Sequence, residues 1–228
     1  MERRAAGVVL CVFVKEKKGR AMDAAEVEAL FTREDGSYLC ARWGRPLVPI
    51  VFGIEDATLS VVKGAFEVVC AMSGHKMAEH DPELGANVMV FFFRDWAELL
   101  ELPDLGRMID GLPEMVARLQ GSGANQYRVF RFDRDGSIKA AFVFLRMDES
   151  LSQMPAEDLA LAQVAQVMLT WGNGAFAARS PLGRLEDGRV VLRPEIGALI
   201  RAAYDPVMPV AAQDASHALR LAARTGLG

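Results

Sequence analysis

Residues 154–174, MPAEDLALAQVAQVMLTWGNG, constrain the fold more than any other stretch of the chain. They read as one helix running through the middle of a domain. Pro155 suits the first helical position, where a missing N–H costs nothing. Glu157 and Asp158 follow in the first turn, where negative charge complements the helix macrodipole. Leu159, Ala162, Val164, Ala165, Val167, Met168 and Trp171 are spaced too closely for a single stripe. A helix that is apolar around most of its circumference has to be covered on several sides. Gly172-Asn173-Gly174 is the expected stop, since these residues tolerate positive φ. Such a helix is well placed to carry a catalytic motif. Yet it holds no His, no Cys and no acid after Asp158, and its side-chain amides are Gln163 and Gln166.

With 228 residues, 51% of them hydrophobic, the chain can bury a sizeable core. A net charge of −4 argues against a nucleic-acid surface, which needs a basic stripe. Lys15, Lys17, Lys18 and Arg20 form one tight basic run and read as a solvated turn. Cys11, Cys40 and Cys70 sit in apolar segments without CxxC spacing, the pattern of free buried thiols in a reducing compartment. Glu2-Arg3-Arg4 ahead of the apolar run 5–14 has the outline of a leader. No small-residue cleavage site follows it, and Val9-Leu10 stand where a lipoprotein leader needs small residues. The run is too short to span a bilayer. A cytoplasmic protein without membrane attachment is expected.

Residues 7–14 read as a buried strand. Asp23 and Glu26 have capping-box spacing at the head of a short helix. Two extended runs, 37–43 and 47–54, are joined by Gly44-Arg45-Pro46, a hairpin or a sharp change of direction. Pro49 places the second run at a sheet edge or bulge. Asp56 is the expected cap of a helix over 57–73 that presents a wide apolar face to a sheet and stops at Gly74. Residues 87–93, NVMVFFF, are the most apolar strand and belong at the centre. Asp95 caps a short helix over 96–101, and 114–119 make another turn or two. Runs 126–133 and 137–147 form a hairpin about Asp135-Gly136. Residues 180–188 read as an exposed loop. Pro194 opens a helix ending at Tyr204-Asp205-Pro206, and Asp214 caps a last helix over 215–224. The whole is one α+β domain with a single mixed sheet packed by helices: a core over 43–209, an N-terminal strand and helix over 1–42, and a C-terminal helix over 210–228.

Several strings resemble an uncharacterised family of proteobacterial proteins, some of which carry lipoprotein names. They are Arg42-Trp43 with Pro46-Leu47-Val48, Ala86-Asn87 opening the apolar strand, the hairpin about Asp135-Gly136, and LIRAAYDPVMP over 199–209. The resemblance covers about residues 43–209. It implies a zincin-like layout, in which the helix after the hairpin bears a His-Glu pair. A zincin needs two His at i and i+4 to face one metal, with Glu as base. Here the corresponding positions fall near Leu161 and Ala162, both apolar, so the resemblance implies a domain that has lost its metal site.

His75, Glu79, His80 and Asp81 form the one cluster with metal-ligand residue types. It misses the inverted pattern H-x-x-E-H by one residue, and His75 and His80 would diverge on a helix. No G-x-S-x-G elbow and no phosphate loop is present. The aromatics Phe91, Phe92, Phe93, Trp96, Tyr127, Phe130 and Phe132 read as core. The leading expectation is therefore a non-catalytic binding or assembly domain without metal or cofactor. Its ligand or protein partner would meet the surface near Gln163, Gln166, Trp171 and Asn173. The alternatives are a hydrolase of unrecognised type using His75, Glu79 and His80, and a homo-oligomer joined through the hairpin and C-terminal helix.

Overall fold

A computed structural model of the chain describes residues 22–226. The strand expected over 7–14, Cys11 and the basic run 15–20 lie outside the described residues. The fold is α+β. Strands β2 (Pro49–Phe52), β3 (Val88–Phe93), β4 (Gln126–Phe132) and β5 (Ile138–Arg146) form a mixed sheet in the order β2-β3-β5-β4. The first three are parallel, and β4 returns antiparallel to β5 as an edge. The apolar run 87–93 thus supplies an interior strand, and Pro49 opens the other edge, where its missing N–H removes no ladder bond.

Strand alternation divides the core in two. Val88, Val90, Ala141, Val143 and Leu145 face helices α2 (Asp56–Ser73) and α6 (Ala156–Val167). Phe91, Phe93, Phe142 and Phe144 face the opposite side, where a 3-10 turn (Trp96–Leu100), α3 (Leu105–Met108) and α4 (Leu112–Gly121) cover them. Capping follows local chemistry at several termini. Asp23 and Glu26 form a reciprocal box on α1 (Ala24–Phe31), and Asp95 and Glu98 do so on the 3-10 turn. Asp148 accepts the Leu151 N–H at the head of the one-turn α5 (Glu149–Ser152), and Gly74 closes α2 at φ 70°. Asp56, by contrast, is the first residue of α2 rather than its cap, which is Glu55 without a side-chain bond.

The buried central helix is present, but its ends differ from expectation. Pro155 is the N-cap with extended ψ, and α6 stops at Val167, well before Gly172. Residues beyond it leave the helix to meet β1 (Cys40–Ala41). Thr170 N–H donates to Ala41 O, Thr170 Oγ1 accepts Ala41 N–H at 2.8 Å, and Leu169 bridges Arg42. The buried C-terminal carbonyls of α6, which have no intrahelical partner, are met by aromatic donors. Trp171 Nε1 donates to Ala165 O at 3.1 Å, Trp43 Nε1 to Val167 O at 2.8 Å and Tyr204 OH to Met168 O at 2.9 Å. Gly172 is a close-approach residue instead of a stop: a Cβ there would overlap the Thr32 carbonyl.

The turn 44–46 redirects the chain and forms no hairpin. β1 pairs antiparallel with β8 (Ala211–Ala212), while β2 joins the main sheet. The expected loop 180–188 contains a small hairpin, β6 (Leu182–Arg184) with β7 (Val190–Leu192). Helix α7 (Pro194–Ala203) begins at its proline as expected. The last helix, α8 (His217–Thr225), starts two residues late, because Ser216 takes the cap position and Asp214 Oδ1 accepts the Ser216 N–H.

His217 of α8 is buried, and its Nδ1 lies 2.9 Å from Tyr38 OH. Burial, with Arg220 adding to it, pushes this imidazole down to about 4. The unfolded chain then binds the extra proton between the ordinary histidine value and about 4, so stability falls as pH drops through that window. The loss should reach ~3 kcal/mol. Urea midpoints at neutral and mildly acid pH check this. His217→Phe should flatten that part of the profile; a parallel decline in parent and variant would refute the assignment.

Candidate functional site

At the β4 edge the sheet extends beyond the cover of α6. Gln126, Arg128 and Phe130 lie opposite Leu145, Val143 and Ala141 of β5, so they face the same side as α6. A half-open cleft of about 950 Å³ runs between them and the helix. β4 forms its floor, Leu159, Ala162, Gln163 and Gln166 one wall, and Trp171, Asn173 and Phe176 the far rim. The four residues singled out from the sequence, Gln163, Gln166, Trp171 and Asn173, all border this one cleft.

Its chemistry centres on Arg128. The guanidinium Nη2 donates to Gln126 Oε1 at 3.1 Å and to Gln163 Oε1, and Gln163 Nε2 donates to Gln126 Oε1 at 3.0 Å. Arg128 Nε is buried with no partner among the described residues. No carboxylate among the described residues pairs with it, and burial alone pushes its pKa down to about 10. A desolvated cation that meets only neutral amides favours an anion placed beside it. Gln166 donates to Ala162 O at 3.1 Å, and its carbonyl oxygen makes no bond within the described residues. The Trp171 ring stacks on Phe31 at 5.1 Å and meets Phe176 edge-on at 5.0 Å, a rigid apolar rim. Asn173 is exposed.

Sequence reasoning missed Arg128, which looked like the polar side of an alternating strand. The available signal was a pairing of oddities. Arg128 shares the strand face of Phe130, and Gln163 is a polar residue in a helix apolar on every side.

The histidine loop is organised differently. His75 is turned inward, with Nε2 2.9 Å from Arg45 O and its ring 4.9 Å from Tyr204, and burial lowers its pKa. Glu79 and His80 are exposed. Asp81 is buried in a network with Arg45 and Asn87 and accepts the N–H groups of Glu83 and Leu84. Burial would raise its pKa, but the bonds from Leu84, Glu83, Asn87 and Arg45 prevail and hold it near about 2. Arg45 also pairs with Glu83 at 3.2 Å and Asp133 at 2.7 Å, and Lys139 pairs with Glu83. These charges border a second cleft of about 1050 Å³, where they neutralise one another. Among the described residues no three His, Cys, Asp or Glu side chains converge as a metal site requires. Cys40 and Cys70 are buried free thiols, the latter pushed up to about 12 by burial, far from thiolate reactivity. No described helix is long and apolar enough to cross a membrane.

Fold and cleft together define an α+β domain with a ligand-sized opening at a sheet edge. No protein-family model, no curated protein and no solved structure matches the chain.

Proposed function

We propose that this chain is a non-catalytic binding domain, zincin-like in layout and without the metal residues, that takes a ligand or protein partner in the cleft between β4 and α6. The observation that carries this reading is Arg128, a cation that no carboxylate among the described residues pairs, at the floor of an open cleft. The absence of chemistry on α6 supports it. Leu161 and Ala162, which stand where the family resemblance puts the His-Glu pair, are buried apolar side chains. The histidine loop supports it too, because His75 and Asp81 are committed to structural bonds. Buried free thiols fit a cytoplasmic setting.

Elemental analysis of the purified protein tests the reading. Substoichiometric zinc is expected, and one tightly held zinc per chain would overturn it. A broad hydrolase screen on the parent, His75→Ala and His80→Ala chains should show no activity that depends on either histidine.

A further inference from the structure

The outer edge of β4 has its own pattern. Arg146 N–H donates to Asn125 O, which sets the phase of the antiparallel ladder. Backbone bonding alternates along such a ladder. Tyr127 and Val129 therefore turn N–H and C=O toward β5, and Gln126, Arg128 and Phe130 turn theirs outward. Among the described residues, no backbone bond outside the sheet reaches these outward groups. The same three residues aim their side chains toward the cleft. An open edge is a template for another strand. Extended segments dock to such edges with main-chain bonds for affinity and side-chain pockets for specificity.

Charge then selects the segment. A residue directly opposite Arg128 on an added strand would have its Cβ about 5 Å away on the same face. A carboxylate there would be placed beside the guanidinium, whose partners among the described residues are two amide oxygens and whose Nε has none among them. Of the acids bordering the cleft, Asp35 is turned back onto Ser37 at 2.6 Å. Trp171 and Phe176 provide apolar surface for the neighbouring side chains. We propose that the β4 edge accepts an extended segment of a partner protein as a fifth strand, with an Asp or Glu side chain of that segment paired to Arg128. This rests on the binding reading above and names its partner class.

The test uses the full chain and three probes: an acetylated, amidated nine-residue peptide alternating Thr and Val around a central Glu, its central-Gln counterpart, and sodium acetate. Affinities come from NMR titration, and strand addition from amide exchange at Gln126, Arg128 and Phe130. The Glu peptide should bind about tenfold more tightly than the Gln peptide, and the three amides should become protected. Arg128→Met should erase the preference, so that the Glu and Gln peptides bind that variant equally. The peptide comparison on the parent chain stands even if that variant fails to fold.

Equal affinities for the two peptides would overturn the proposal. So would saturation by acetate without amide protection by either peptide, which would mark a small-anion site. Three amides already slow in the free chain would also overturn it, showing an edge covered by residues 1–21 or by a second copy. In each of these cases, shifts at Gln163 and Trp171 would keep the binding reading. Silence there from every probe would remove both.

Discussion

Trp43→Ala is expected to lower the unfolding free energy by about 3–5 kcal/mol, the cost typical of truncating a fully buried large aromatic. Trp43 has no solvent exposure and lies in the cluster shared by α2, α6 and α7. Its indole also holds Val167 O, one of the buried carbonyls left without a helical partner where α6 stops. Truncation therefore leaves both a cavity and an unsatisfied acceptor. Trp43→Phe separates these effects, since it keeps most of the volume and loses the bond; about 1–2 kcal/mol is expected. Urea unfolding followed by circular dichroism measures both. A loss below ~1 kcal/mol for the alanine variant would contradict the packing described for the end of α6.

Asp81→Ala should cost about 3 kcal/mol. The carboxylate is almost fully buried and ties together Arg45, Asn87 and two loop N–H groups. Without it, the buried Asn87 amide keeps only its bonds to Pro46 and Val48. Arg45 retains Glu83 and Asp133, which sets the loss at the lower end for broken buried pairs. The sign with pH follows from a folded pKa near about 2, below the ordinary aspartate value. Asp81 stabilises the fold fully above that ordinary value and loses its contribution as pH falls toward 2. The gap between parent and variant should therefore narrow by about 2 kcal/mol on acidification. A gap independent of pH would show that the carboxylate bonds are not what the residue contributes.

The features legible in the sequence share a short range. The Asp23–Glu26 and Asp95–Glu98 boxes, the Gly74 stop and the Asp135-Gly136 turn each depend on residues within a few positions. The edge position of Pro49 follows from a missing N–H, and the burial of α6 from its composition. Where expectation failed, a distant partner intervened. α6 ends at Val167 because the next residues bond to β1, more than a hundred positions earlier in the chain. The turn 44–46 forms no hairpin because β1 and β2 have different partners, β8 and β3.

The candidate site divides along the same line. Gln163, Gln166, Trp171 and Asn173 could be picked out as the polar or amphipathic residues of an otherwise greasy segment. That Gln163 meets Arg128, 35 positions away, depended on strand order and on the phase of the β4–β5 ladder. Local propensity and hydrophobic period were enough to define an α+β chain built around one buried helix. Only the assembled sheet could leave β4 at an edge among the described strands, with a cation that no described carboxylate pairs beneath an open cleft. Charge compensation and free backbone edges arise from through-space neighbours, and those are established by packing.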